Sequence, residues 1–245
     1  MRTMLVIPLL VLAACGGDGG GGPSSNPGPF DCLGEPLPTT AGDPLVVTGI
    51  VRSNPITPAA LAGAQVIGYR TGNATRLDST ASDANGNYTL TLATGGQPLD
   101  GYVRVFKSGY IDTYGYPPAP LVASATQSAL LITTSDLAAL GMLAGVTQSA
   151  GKGLIALVVS DCNGTPLAGA TVSSNPAGTL RYNSGGFPSS SATATSADGV
   201  AYILNVTAGD VVVSASATSH VLRSHTVNAR ADVVTLTGVT PGPVQ

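Results

Sequence analysis

Leu61-Ala62-Gly63-Ala64-Gln65-Val66 recurs 106 positions later as Leu167-Ala168-Gly169-Ala170-Thr171-Val172, and this repetition decides the fold. Self-similarity at a fixed long spacing marks two copies of one structural unit. The flanking segments agree in order. A strand-like run precedes each copy, Leu45-Val46-Val47-Thr48-Gly49-Ile50-Val51 and Leu154-Ile155-Ala156-Leu157-Val158-Val159. An Asp/Gly turn and a tyrosine strand follow, Asp83-Ala84-Asn85-Gly86-Asn87-Tyr88-Thr89-Leu90 and Asp198-Gly199-Val200-Ala201-Tyr202-Ile203-Leu204. A further strand follows a glycine in both, Gly101-Tyr102-Val103-Arg104-Val105 and Gly209-Asp210-Val211-Val212-Val213.

The hydrophobic period within each copy is two. Over 211–218 the odd positions are Val211, Val213, Ala215 and Ala217, while Ser214, Ser216 and Thr218 fill most even ones. That pattern gives a strand one buried face and one wet face. Short strands broken by Asn-Gly, Asp-Gly and Pro-rich turns describe a sandwich. The sequence therefore predicts an all-β chain: two tandem antiparallel β-sandwich domains joined by a short helix. The domains span 44–134 and 152–238, with a connector over 135–151 and a tail over 239–245. Within the connector, Ser135 can cap a helix, Leu137, Leu140 and Leu143 follow at helical spacing, and Gly145 can end it. A helix over 135–144 packed between the domains is expected.

Pro166-Leu167-Ala168-Gly169-Ala170-Thr171-Val172 resembles the second-strand signature of carboxypeptidase regulatory-like domains. The turn from Asp83 to Gly86-Asn87-Tyr88 and the later Lys107-Ser108-Gly109-Tyr110 are similar to that family's following elements. The first copy departs from the pattern with Pro58-Ala59-Ala60 before Leu61. The second has Thr218-Ser219-His220-Val221 in place of the Lys-Ser-Gly-Tyr element. The resemblance covers both domains. It implies transthyretin-like sandwiches, a shape shared with collagen-adhesin repeat domains, and an accessory non-catalytic role with no particular ligand.

The N-terminus reads as an export signal over 1–14. Arg2 supplies its positive charge and 5–12 its apolar core, far shorter than the roughly 20 residues that span a bilayer. Leu12-Ala13-Ala14-Cys15 then resembles a lipobox, the motif whose cysteine is lipidated after cleavage. Cys15 is thus the expected lipid-bearing first residue of the exported protein. Gly16 follows it, not the aspartate that resembles an inner-membrane retention signal, so the expected location is the outer membrane or cell surface. The glycine-rich run after Cys15 opens a tether and leader over 15–43.

Charge is sparse, with 10 Lys+Arg against 13 Asp+Glu and a net charge of −3. Nucleic acid binding needs clustered cations, so nucleic acid is excluded as a partner. Lys107 and Lys152 are the two lysines, which leaves no polybasic membrane patch. Membrane contact is expected through the lipid anchor. Cys32 and Cys162 remain after Cys15, and outside the cytoplasm they either pair as a disulfide or stay as two separate buried thiols.

Catalytic chemistry is thinly represented. The sequence holds only two histidines, His220 and His225, and one glutamate, Glu35. The histidines lie five apart in one expected strand, pointing to opposite faces, and so cannot chelate one metal together. Asp83-Ala84-Asn85-Gly86-Asn87 has the spacing of a calcium loop's start, but Thr94 stands where the bidentate glutamate belongs. A turn built on Asn85-Gly86 is the simpler reading. Lys152 and Asn228 provide the two side chains of an isopeptide crosslink, without a glutamate nearby to catalyse it. No cofactor is expected.

Two surface candidates follow. Tyr110, Tyr114 and Tyr116 gather in a Pro/Gly-rich stretch and either stack on a ligand or pack over the sandwich edge. The insertion over 175–190 carries Arg181, Tyr182 and Phe187 and is either a functional loop or a solvent-facing excursion. The functional expectation is a membrane-anchored exported lipoprotein whose non-catalytic sandwiches serve as spacer or interaction modules. A surface adhesin for carbohydrate or cell-surface protein is the alternative, with a hydrolase accessory or enzyme after it.

Overall fold

The computed structural model describes residues 28–243; the signal segment and Cys15 lie outside the described residues. The first half contains β1 (Leu45–Ser53), β2 (Ala59–Ala60), β3 (Gln65–Arg70), β4 (Arg76–Ala81) and β5 (Asn87–Leu92). It continues with β6 (Gly101–Phe106), β7 (Thr113–Gly115), β8 (Ala125–Thr126) and β9 (Ala129–Leu131). Helix α1 (Thr134–Ala144) leads to β10 (Lys152–Val159), β11 (Thr171–Asn175), β12 (Thr179–Ser184), β13 (Phe187–Ser189) and β14 (Val200–Thr207). The chain closes with β15 (Gly209–Ala217), β16 (His220–Val221), β17 (His225–Ala229) and β18 (Val234–Val239).

The two halves repeat one topology. In the first, β1 pairs with β5 antiparallel and with β9 parallel, while β3, β6 and β7 form the facing sheet. In the second, β10 pairs with β14 antiparallel and with β18 parallel, while β11, β15 and β17 face them. The repeat extends to single atoms. Ser82 Oγ donates to the Leu61 carbonyl and accepts from Ala64 N–H; Thr195 Oγ1 donates to the Leu167 carbonyl and accepts from Ala170 N–H. Gly63 and Gly169 each donate to the backbone carbonyl of that same Ser or Thr.

Two glycines show why the turn sequence recurs. Gly86 and Gly199 both have positive φ, 78° and 66°, and their carbonyls accept from Val51 and Val159 N–H. A Cβ at either would come 2.5 Å from the carbonyl oxygen of that same valine. Only glycine combines the left-handed backbone with so close an approach.

Period-two burial produces the cores. Along β5, Tyr88, Leu90 and Leu92 are buried and the residues between them exposed. Val47, Val51, Val66, Leu90, Val105 and Leu131 fill the first sandwich, and Ile155, Leu157, Val159, Ile203, Val211 and Val213 the second. Removing such large aliphatics from water supplies about 1.5–3 kcal/mol each, the main drive to this packing.

The all-β sandwich architecture matches the sequence reading, with two differences. The pairing is not wholly antiparallel, because the last strand of each sandwich, β9 or β18, returns beside the first in parallel. The sandwiches also share a sheet. The first three residues of β18 pair in parallel with β7, Thr235 opposite Tyr114, giving one nine-stranded sheet in the order β13-β12-β14-β10-β18-β7-β6-β3-β4. The first sandwich covers one face of it and the second covers the opposite face at the other end.

Helix α1 begins two residues earlier than a Ser135 cap would allow. Thr133 is its N-cap: Thr133 Oγ1 accepts from Asp136 N–H at 3.1 Å and Asp136 Oδ2 accepts from Thr133 N–H at 2.8 Å. This reciprocal box needs an acid three residues after the cap, and Asp136 stands in that relation to Thr133. Gly145 ends the helix in the left-handed conformation. Leu137 and Leu140 pack on a third core cluster, with Ile132, Leu154, Val158 and Val234, on the sheet face that β11 and β15 leave open.

The leader is docked, not free. Cys32 and Cys162 form a disulfide with Cα atoms 5.7 Å apart, and both residues are buried. Cys162 N–H donates to the Pro29 carbonyl, Phe30 stacks on His220 with centroids 4.4 Å apart, and Arg223 donates to the Glu35 carbonyl. The end of the chain closes over this joint: Thr240, Pro241 and Gly242 are buried, and a side chain at Gly242 would run into the Cys32 carbonyl. The insertion over 175–190 is likewise no loop. It forms the β12–β13 hairpin, adds to the edge of the large sheet through β14, and buries Tyr182, whose hydroxyl accepts from Val172 N–H.

Candidate functional surfaces

The three tyrosines singled out by sequence do not share an exposed face. Tyr116 is 5% exposed and belongs to the core of the second sandwich; Tyr110 packs against the core of the first; Tyr114 is half-buried. Tyr110 precedes β7 and turns to the first core, whereas Tyr114 and Tyr116, two residues apart along the β7 segment, both turn to the second. Of the two readings of Tyr110, Tyr114 and Tyr116, the structure shows packing against the sandwiches and not a shared exposed platform.

A different aromatic row takes shape at the seam between sandwiches. Along β6, Val103 and Val105 enter the first core, so Tyr102, Arg104 and Phe106 stand on the opposite face. Register places Tyr69 beside Tyr102 and Arg104 beside Tyr114. Tyr69 and Tyr102 stack with centroids 5.2 Å apart, and Tyr102 lies 5.8 Å from Tyr114 and 5.2 Å from Tyr116. Arg230, just beyond β17, lays its guanidinium 3.8 Å from the Tyr114 centroid and donates to the Tyr116 hydroxyl at 2.8 Å. Arg104 sits over Phe106 and donates twice to Asp112 Oδ2, the one ion pair among the described residues.

Electrostatics at the seam follow from this packing. Burial pushes the Tyr114 and Tyr116 hydroxyls above the usual phenol range, and Arg230 opposes the rise at both. Neutral phenols beside a guanidinium make this a cation–π and hydrogen-bond joint, not a catalytic one. Tyr69 and Tyr102 stack, and Tyr114 lies tilted beside Tyr102 under the Arg230 guanidinium, so the row stiffens the sheet.

The remaining chemistry-bearing residues are committed elsewhere. Asp83 Oδ1 accepts from Asn85 and Asn87 N–H, and the Asn87 backbone bond chiefly holds its carboxyl below the ordinary value. Among the described residues no group of three potential metal ligands comes together. His220 and His225 occupy separate strands, β16 and β17, because the strand pairing is interrupted over 222–224. His225 Nε2 meets Thr237 Oγ1 at 2.7 Å, and burial lowers its pKa to about 4. Lys152 Nζ reaches Thr207 Oγ1 and Asn228 Nδ2 donates to Asp210, so the two side chains of an isopeptide bond hold different partners.

One concave surface stands out. A cleft of about 640 Å³ lies between helix α1, the loop 146–152 and the start of β18. Its helix wall is Thr134, Leu137, Ala138, Gly141, Met142 and Gly145, and Ile111, Leu154, Val233 and Val234 line its depth. Lys152 and Asp232 are its charged residues. Sequence reading missed it because the cleft needs the helix docked against strands far away in the chain. The available signal was the helix composition: after Asp136 every residue to Ala144 is apolar or glycine.

No family model and no curated protein sequence matches the chain. Structural likenesses to solved proteins are distant. The 3-chlorocatechol 1,2-dioxygenase of Rhodococcus opacus 1CP is 16% identical at a TM-score of 0.26, covering 38% of this chain and 60% of its own. A streptococcal ancillary pilin is 13% identical at 0.25, covering 80% of this chain and 62% of its own. The shaft pilin SpaA from Lactobacillus rhamnosus GG is 11% identical at 0.27, covering 82% of this chain and all of its own, 100%.

Proposed function

We propose that the chain is an exported lipoprotein, anchored through Cys15 at the outer membrane or cell surface, whose fused sandwiches form a rigid non-catalytic spacer presenting an interaction surface. The observation that carries this reading is the docking of the leader. The leader expected to follow the tether from Cys15 is fixed at the Cys32–Cys162 joint, so force or position at the anchor would pass directly into the second sandwich. The β7–β18 seam passes it on to the first. A spacer needs such rigidity, whereas a flexible string of domains would lose it. The carboxypeptidase regulatory-like resemblance points the same way, toward an accessory module.

Two or more acyl chains on Cys15, each giving about 0.8 kcal/mol per buried CH₂, would make the anchorage durable. Membrane fractionation of wild-type and Cys15→Ser protein tests the reading. The wild type is expected in the membrane fraction and the variant in the soluble one. A Cys15→Ser protein that still sediments with membranes would overturn lipid anchoring.

A further inference from the structure

Helix α1 is apolar on both sides yet packed on only one. Gly141 and Ala144 are buried, while Met142 is 79% and Leu143 49% exposed. A helix without a polar face ordinarily lies wholly inside a protein, so something is expected to cover it. The concave side of that surface is the cleft. Thr134, Leu137, Ala138, Gly141, Met142 and Gly145 recur at three- and four-residue steps and so form one continuous stripe along the helix. From Thr134 to Gly145 the trough is roughly 16 Å long.

Its two ends differ. The backbone places Ile111 beside Ile132 and Val234 beside Asp112, so the end near the start of the helix is walled by aliphatic side chains. The other end is the loop carrying Thr147, Gln148, Ser149 and Lys152, with Asp232 bonded to Lys152 through the backbone and to Gly151 N–H through its carboxylate. A long apolar trough with a hydrogen-bonding mouth, where Lys152 and Asp232 balance in charge, fits one kind of occupant. We infer that this cleft binds a single-chain amphiphile, its acyl chain lying along helix α1 and its polar head at the loop carrying Thr147, Gln148 and Ser149.

The competing occupant, a second copy of the chain, fits less well. A stable protein interface needs about 800 Å² from each partner. Met142 and Leu143 alone offer a small part of that, and a concave slot of this volume is of small-molecule size. The flexible thioether of Met142 at the rim suits chains of varying shape. The site also lies at the start of β10, whereas the leader docks past that strand's end at Cys162, roughly 30 Å away at strand rise. The cleft is thereby held away from the point where the tether leaves the body.

The test uses the full chain carrying Cys15→Ser, which needs no detergent, titrated with the fluorescent fatty acid cis-parinaric acid. Saturable one-to-one binding is expected, with displacement by dodecanoate and by dodecyl maltoside. Ala138→Trp fills the trough, and Met142→Lys charges its exposed rim without touching the core; each is expected to weaken binding at least about tenfold. Absence of saturable binding by wild type, or tight binding by both rim and trough variants, overturns the proposal. So does a concentration-dependent dimer in light scattering that Met142→Lys abolishes, which would assign the surface to a second copy.

Discussion

The guanidinium of Arg230 lies 3.8 Å from the centre of the Tyr114 ring, across the seam where β18 joins β7. The contact links residues far apart in sequence and in different sandwiches. Arg230 also donates to the Tyr116 hydroxyl and to the Asn228 carbonyl, so one side chain ties the β7 segment to the end of β17. The seam itself has only three paired residues on β7, too few ladder bonds to hold two domains by themselves. The aromatic joint supplies what the short ladder lacks.

Arg230→Ala is accordingly expected to lower unfolding free energy by about 1–3 kcal/mol, from one partly desolvated cation–π contact and two hydrogen bonds. A double-mutant cycle with Tyr114→Ala in urea unfolding should give a coupling of about 0.5–2 kcal/mol. Arg230→Lys should recover little, because an ammonium cannot stack flat while donating sideways to a phenol. Additive losses from the two alanine variants would show that the contact carries no joint energy.

The repeat yields a matched pair of expectations at Gly86 and Gly199. Alanine at either meets a left-handed backbone, costing about 1–2 kcal/mol, plus a carbonyl oxygen 2.5 Å from the new Cβ. Each is expected to destabilise by more than about 2 kcal/mol, and by similar amounts. Gly169→Ala is the control: its φ is +76°, but nothing lies within 4 Å of the added Cβ. It should lose only the backbone part. Thermal melts of the three variants separate strain from collision.

How much of this was legible follows from the range of each signal. Gly63 and Gly169, the Asp/Gly turns and the alternation over 211–218 act within one strand and its turn, so the sandwich reading followed from sequence. The β7–β18 seam left no local sign, because Thr113, Tyr114 and Gly115 look like part of a Pro/Gly-rich loop until strand β18 lies beside them. Tyr69 and Tyr102 were readable as outward residues, since each alternates with core valines or a glycine, but their stacking depends on register across β3 and β6. The β12–β13 hairpin had its mark: Gly185-Gly186 joins Ser184 to Phe187, a two-residue turn between strand-like runs. Arg230 had no mark at all.

The Cys32–Cys162 bond closes a loop of 130 residues that contains the whole first sandwich. Chain entropy assigns so long a loop about 5 kcal/mol, of which crosslinks typically deliver about 2–4 kcal/mol, and the native packing around Phe30, Arg223 and Gly242 holds the joint together locally. The Cys32→Ala, Cys162→Ala double variant is expected to unfold at lower urea concentration, with an unfolding free energy reduced by about 2–4 kcal/mol. Limited proteolysis should then cut near Phe30 and Leu33 while both sandwiches stay resistant, because the seam does not involve the leader. A variant cleaved first at the seam near 113–120 would mean that the disulfide holds the sandwiches together.

His225 makes stability depend on pH in a definable window. Its ring is largely buried in the second sandwich beneath β18. Nε2 is engaged with Thr237 Oγ1, and Nδ1 has no partner among the described residues. Burial disfavours the charged imidazolium, so the folded pKa falls from 6.5 to about 4. The sign follows directly: between these values the unfolded chain binds a proton that the folded chain refuses. The contribution is therefore fully present above about pH 6.5 and is lost as pH falls toward 4. A gap of that size corresponds to roughly 3 kcal/mol at most. Carboxylates add their own slope at low pH, so the comparison must be with a variant that leaves them alone. His225→Gln keeps a group able to reach Thr237 but cannot titrate. Urea unfolding at pH 4.5, 5.5, 6.5 and 7.5 should show wild type losing stability more steeply than His225→Gln, with the two curves converging in slope above pH 6.5. Parallel curves over the whole range would place the histidine in contact with solvent and sink the argument.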